Sequence, residues 1–229
     1  MRVLVTRPAE DAARTAAVLE ARGHKAVLAP LLEVRFHDGP DIPLDGVQAI
    51  LATSANGVRA LARRTARRDL PLFAVGPQTA DAAHESGFAI VRNAQGDAKA
   101  LAAATAQWAT PAKGVLFHAR GAEGDGALAA MLKDKGFETR SEVLYDVAAA
   151  GDLPPAAREA LAQGAVDAAL FFSPRSARVF ADRAAGLDTR GLIALCISAA
   201  TAGTLAPLAF REIRIAAQPN QDALLACLD

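Results

Sequence analysis

The chain has 229 residues, of which 52% are hydrophobic and only 5% aromatic, and its 25 basic and 25 acidic side chains cancel. A neutral total argues against a nucleic-acid partner, which needs a basic footprint, and no apolar run approaches the ~20 residues that span a bilayer. Cys196 and Cys227 have neither framework nor metal-ligand spacing, so a cytoplasmic protein with two buried thiols is expected, and a monomer.

Val3-Leu4-Val5-Thr6 reads as a buried strand stopped by Arg7-Pro8, too short an apolar run for a secretory signal. A helix is predicted over 10–22, ended by Gly23, then a strand over 25–28 and an extended apolar segment over 30–36. Residues 38–43 are a loop by composition. Strands then follow at about 49–52, 72–75, 89–91 and 114–118, alternating with helices at 56–67, 77–86, 96–108 and 124–135. Gly136-Phe137 ends the last of these as Gly23-His24 ends the first. Residues 141–147 are extended and β-rich, and 148–155 a loop. The rest repeats the alternation: helix 155–163, strand 168–172, helix 175–184, strand 192–197, helix 199–205, strand 212–215 and helix 221–228. Short apolar strands alternating with helices predict parallel α/β sheets.

The pattern occurs twice. Arg7 and Arg120 follow similar strands at an offset of 113, which Gly23 and Gly136 keep; Ser54 and Ser173 are 119 apart, and Thr79 and Thr201 are 122 apart. Asp97 and Asn220 open similar helices at an offset of 123. Such a period is a two-copy duplication rather than a solenoid. Because the counterpart of Arg120 lies at the N-terminus, one domain is completed by the start of the chain and the other is inserted into it. The expected division is residues 1–30 with 148–229 as a discontinuous α/β domain, 38–140 as an inserted α/β domain, and 31–37 and 141–147 as crossings paired in a two-stranded ladder. A hinge is expected at 34–38 and 147–152.

In open parallel sheets ligands sit at the carboxyl ends of strands, beside helix N-termini. Arg7, Thr53, Ser54, Asn56, Gly76, Thr79, Arg120, Gly121, Ser173, Arg175, Ser176, Ser198 and Thr201 fall there or one turn beyond. Together they suit a polycarboxylate or a phosphate; the plainer alternative is that Ser, Thr and Asn are helix caps. None of His24, His37, His84 and His118 has metal-ligand spacing, and no nucleophile elbow, Walker sequence or dinucleotide fingerprint is present. His118 matches Thr6 in the other copy, which favours packing or hydrogen bonding. Gly121-Ala122-Glu123-Gly124-Asp125-Gly126 is a Gly-rich strand–helix turn and a weak signal. The sole tyrosine, Tyr145, lies on a proposed crossing, where it either faces a cleft or is structural.

Five stretches, in this order and spacing, resemble the uroporphyrinogen-III synthase family: Val3-Leu4-Val5-Thr6-Arg7-Pro8, Thr53-Ser54-Ala55-Asn56-Gly57-Val58, Val75-Gly76-Pro77-Gln78-Thr79-Ala80, Leu144-Tyr145 and Phe172-Ser173-Pro174-Arg175-Ser176-Ala177. The resemblance covers nearly the whole chain. It implies two flavodoxin-like, doubly wound domains joined by a β-ladder. It also implies a cofactor-free lyase that closes linear hydroxymethylbilane, handed over by the preceding enzyme, into uroporphyrinogen III while inverting the last pyrrole ring. The product would be held between the domains by backbone amides and scattered polar side chains. Tyr145 matches the tyrosine suggested to assist loss of the hydroxyl. Where the family often has Gly-Pro-Thr-Thr-Ala in the C-terminal copy, this chain has Ile197-Ser198-Ala199-Ala200-Thr201-Ala202, so only Thr201 carries over firmly. A non-catalytic tetrapyrrole- or anion-sensing module of the same fold is the alternative; it would be expected to carry an appended DNA-binding domain. A phosphosugar or nucleotide enzyme would need an acid–base or metal cluster that is not evident.

Overall fold

The structure is a computed structural model that describes every residue except Gly124, Asp125 and Asp229. In chain order its first half contains β1 (Arg2–Val5), α1 (Ala9–Ala21), β2 (Lys25–Leu28), β3 (Leu32–Phe36), β4 (Val47–Ala52), α2 (Ala55–Arg64), β5 (Leu72–Ala74), α3 (Pro77–Glu85), β6 (Val91–Asn93) and α4 (Ala98–Trp108). It continues with β7 (Val115–Gly121), α5 (Ala127–Lys133), β8 (Thr139–Ala149), α6 (Pro155–Ala162), β9 (Ala168–Phe171), α7 (Pro174–Arg183), β10 (Ile193–Cys196), α8 (Ala199–Gly203), β11 (Glu212–Ile215) and α9 (Gln221–Leu225). The fold is mixed α/β with parallel sheets, and the chain divides into two compact units, Met1–Glu33 with Ala148–Asp229, and Val34–Val147.

In the first unit a five-stranded sheet runs β11-β10-β9-β1-β2, every pairing parallel. Successive strand residues face opposite sides of a sheet. Val3, Val5, Ala168, Leu170, Ile193 and Leu195 accordingly form one apolar cluster with Ala12 and Leu19 of α1 and Leu224 and Leu225 of α9. On the other face Phe171 meets Phe180 of α7 edge-on, with ring centroids 5.1 Å apart.

The second unit is built on the order β3-β8-β7-β4-β5-β6. The pairings from β8 to β6 are parallel. β3 runs antiparallel to β8, since His37 N–H donates to Leu144 O at 2.8 Å and Ala150 N–H to Leu31 O at 2.9 Å. The alternation is again clean: Ile50, Ala52, Leu72, Ala74 and Phe117 pack under α2 and α3, whereas Ala49, Leu51, Phe73 and Leu116 pack under α4 and α5. β8 is longer than the crossing predicted over 141–147, because its first half forms a full strand beside β7 before the second half meets β3.

Element boundaries move for identifiable reasons. α2 stops at Arg64 rather than 67, where Thr65 turns extended and the Arg68 guanidinium donates to the carbonyls of Ala62 (3.0 Å) and Thr65 (2.7 Å). Those carbonyls would otherwise be left unpaired at a helix end. β6 starts at Val91 rather than 89, because Phe88 closes α3: Gly87 takes φ 87° and Phe88 N–H donates to Ala83 O at 3.1 Å. The same closure ends α1 at Gly23-His24 and α5 at Gly136-Phe137, as the sequence pattern predicts. The expected start of α5 at 124 lies outside the described residues; the described helix begins at Ala127.

The segment over 38–43 is a loop, organised by one buried arginine. Arg64 donates to the carbonyls of Pro40 (2.8 Å) and His37 (3.2 Å) and to Glu142 Oε1 (3.1 Å). Gly39 passes so close that a Cβ there would lie 2.7 Å from the guanidinium carbon.

Candidate functional site

The carboxyl ends of the second unit's strands carry a side-chain cluster that four elements position. Ser54 follows β4 and is the N-cap of α2, its Oγ accepting from Gly57 N–H at 3.1 Å. Gly57 lies so near β7 that a Cβ on it would sit 2.6 Å from Ala119 O, which fixes the entry of α2 against the sheet. The register of β7 against β8 shifts between Arg120, which pairs with Val143, and Gly121, which pairs with Tyr145. One extra β8 residue, Leu144, is accommodated there, a bulge of the kind that redirects side chains. Leu144 and Tyr145 therefore join the same apolar cluster although they are consecutive.

Redirected in this way, the Tyr145 ring lies over Gly121, where a Cβ would fall 2.7 Å from Tyr145 Cζ and 2.9 Å from its hydroxyl oxygen. Tyr145 is 9% exposed, and its Oη is 2.7 Å from Ser54 Oγ. Burial pushes the phenol up from its ordinary pKa, the hydrogen bond with Ser54 opposes this, and the charge of Glu123 adds to the rise. The group is thus a neutral phenol at physiological pH.

Beside it, His118 is buried on β7 with Nε2 3.3 Å from Thr53 Oγ1. Burial, helped by the nearby Arg120, depresses the imidazole to about 4, so the ring is neutral at physiological pH. A packing or hydrogen-bonding role is what its counterpart Thr6 led one to expect, and Thr6 is itself buried and donates to Leu170 O at 2.6 Å.

The other sequence-predicted residues divide by what they already hold. Asn56 Oδ1 accepts from Arg59 at 3.0 Å on the first turn of α2, and Gly76 is the half-buried N-cap of α3, without a side chain. Arg120 and Gly121 end β7, both half-buried. Thr79, a turn into α3, is only 4% exposed. In the first unit Ser173 caps α7 by accepting from Ser176 N–H at 3.1 Å, and Ser198 caps α8 by accepting from Thr201 N–H at 3.3 Å. Arg175 is half-buried on α7. Ser176 and Thr201 are buried, and their hydroxyls bond back to Ser173 and Ser198. Arg7 is committed within its unit: Nη1 donates to Gln221 Oε1 (2.9 Å), Nη2 to Asp11 (3.2 Å), and the guanidinium stacks 4.3 Å from the Phe172 ring centroid. Capping is therefore what Ser173 and Ser198 visibly do, and what Ser54 does in addition to meeting Tyr145.

What the sequence reading missed is the Ser54–Tyr145 pairing, across 91 positions, and the bulge that makes it. Spacing carries no signal for either. A groove of about 550 Å³ along α5, lined by Lys133, Phe137 and Thr139 among others, lies at the opposite, amino end of β8. It contains none of these groups. Among the described residues no helix is long and apolar enough to cross a membrane.

The strand ends of this α/β protein thus carry capped helix starts and, in the second unit, one buried tyrosine paired with a serine hydroxyl. The model of the family described as uroporphyrinogen-III synthase HemD matches residues 13–226, and the chain belongs to that family. The crystal structure of uroporphyrinogen-III synthetase from Helicobacter pylori is similar over 100% of this chain and 98% of its own, at 17% identity and a TM-score of 0.66. A mutant uroporphyrinogen III synthase from Thermus thermophilus is matched over 100% of this chain and 97% of its own at 18% identity and a TM-score of 0.48. No curated protein matches the chain. The family places the chain in porphyrin and tetrapyrrole biosynthesis as an enzyme.

Proposed function

We propose that this chain closes hydroxymethylbilane into uroporphyrinogen III, a cofactor-free lyase reaction that eliminates water and inverts the last pyrrole ring through a spiro intermediate. The observation that carries the reading is the neutral phenol of Tyr145, buried at the strand ends and bonded to Ser54 at 2.7 Å. The lone pair of the terminal pyrrole nitrogen expels the hydroxyl, the C–O electrons leaving with oxygen. Tyr145 Oη gives that oxygen its proton, so water departs and an azafulvenium cation remains. The substrate's own nitrogen supplies the push, which explains why one weak acid is enough. The remaining task is to hold the chain so that the spiro carbon is attacked, a matter of orientation and charge complementarity.

In the second unit, carboxylates of the substrate would meet the amides and hydroxyls at Thr53, Asn56 and Gly76, with Arg120 supplying charge; in the first unit Ser173, Ser198 and Arg175 offer groups of the same kind. Arg7, Thr79, Ser176 and Thr201 would act from beneath, holding the helix starts in place. Helix N-termini favour anions by ~0.3–1 kcal/mol each at exposed sites. The reading of both units as flavodoxin-like is supported by the sheet orders. Counted from β1, the first unit follows 2-1-3-4-5; counted from β7, the second follows the same order with its chain permuted. The test is to supply fresh hydroxymethylbilane and resolve the isomers formed. An excess of type III over the spontaneous, uninverted type I is expected; type I alone would refute the reading.

A further inference from the structure

Ser54 Oγ has one hydrogen and two acceptor sites. Gly57 N–H already occupies one of the acceptor sites at 3.1 Å, and Tyr145 Oη, at 2.7 Å, is within reach of its own hydrogen. Either hydroxyl can donate in this pair; with Ser54 donating to Tyr145, the phenolic hydrogen is directed away from Ser54, as transfer to a substrate requires. The two close glycines make this arrangement rigid. Gly57 presses the Ser54 turn onto Ala119 O, and Gly121 lets the ring come down to Ser54; a Cβ at either would lie within 2.7 Å of its neighbour. Ser54 also begins α2, a 10-residue helix whose N-terminal end favours negative charge at that point.

We propose that Ser54 is a positioning residue that aims the Tyr145 hydroxyl and stabilises the phenolate that forms as Tyr145 gives up its proton. The step balances: the Oη–H bond breaks, the proton goes to the departing hydroxyl oxygen, and the electron pair left on Oη accepts the hydrogen bond from Ser54 Oγ. The hydrogen bond strengthens as charge develops, because a bond to an ionised acceptor is stronger than one between neutral groups. The direction in which Ser54 moves the phenol, downward against burial, agrees with this role. The inference rests on the proposed reaction for its purpose, but the coupling itself needs no substrate to be observed.

Tyr145 is the only tyrosine in the chain, so a tyrosine label at Cζ gives a single carbon resonance that reports on this hydroxyl alone. Three forms are compared: the unmodified chain, Ser54→Gly, and Ser54→Thr. Glycine is a tolerated N-cap that costs only a few tenths of a kcal/mol relative to serine, so the helix start survives while the donor is lost; threonine keeps both. Removing the donor should move the ionisation of Tyr145 to higher pH in Ser54→Gly and leave it in place in Ser54→Thr. Where a form unfolds before the phenol ionises, the Cζ shift of the folded protein near neutral pH makes the same comparison. An unmoved resonance in Ser54→Gly would overturn the proposal.

Turnover supplies the second arm. Ser54→Gly should slow turnover by roughly 3- to 10-fold, and adding it to Tyr145→Phe should slow that variant no further. Additive losses would mean that Ser54 acts on substrate or fold rather than through Tyr145. If the resonance responds as expected but no form makes type III isomer, the proposed reaction fails and the coupling stands.

Discussion

Tyr145 and His118 stand a few residues from one another on neighbouring strands, and burial moves them in opposite directions, the phenol further up and the imidazole down. A phenol keeps its proton at physiological pH and can donate it once; an imidazole depressed to about 4 has already lost the imidazolium proton that would make it an acid. That is why the proposed donor is Tyr145. General-acid help is worth ~10²–10⁴ in rate and less where the leaving group departs readily. Tyr145→Phe should therefore slow turnover without abolishing it, as measured by initial rates of type III formation; a folded variant with no activity at all would show that the phenol does more than assist. The His118 prediction concerns stability. Its folded pKa lies below the 6.5 of a free ring, so on acidification the unfolded chain takes up the proton first. The stabilisation is present above about pH 6.5 and is lost as pH falls towards 4. Urea unfolding at about pH 7 and about pH 4.5 should show a loss on the order of 2 kcal/mol from this group, absent in His118→Gln. An equal loss in both proteins would assign the acid sensitivity elsewhere.

At the scale of elements, what can be read from sequence is local turn chemistry. Ser54, Asp97, Ser173, Ser198 and Asn220 all accept from the backbone N–H three residues on, as their residue types lead one to expect. Gly23 and Gly136 end their helices for an equally local reason, a φ near 80° that side chains disfavour. The losses come where distant residues decide. β8 is a full strand because β7 lies beside it, a pairing between residues about 23 positions apart, as Leu116 with Thr139; the end of α2 is decided nearer by, where Arg68 folds back onto Ala62 and Thr65, a side-chain contact that residue type does not signal. The Leu144 bulge belongs to the same class, so the residue type of Tyr145 could be noted from the sequence but not its direction. Capping also yields a measurable expectation. Ser173→Ala should lower the unfolding free energy by about 1 kcal/mol and Ser173→Gly by a few tenths. Equal effects in denaturant titrations would mean that the Ser173 hydroxyl does something besides close α7.

For the molecule as a whole, the duplication in the sequence anticipates an arrangement that local propensities do not reach. Equivalent residues such as Thr79 and Thr201, 122 positions apart, both end up buried one turn into a helix. Arg7 and Arg120, matched by the same comparison, differ in use: Arg7 is tied to Gln221, Asp11 and Phe172, whereas Arg120 lies beside the bulge that turns Tyr145. Repetition thus predicts position better than role, since a role depends on neighbours that differ between the copies. In the proposed function a linear tetrapyrrole is bent so that its last ring is inverted during closure. The most direct measurement is the isomer ratio from fresh hydroxymethylbilane, with and without the protein. Uroporphyrinogen III in clear excess over the spontaneous type I product is the predicted result; a protein-independent yield of type I alone would contradict the account.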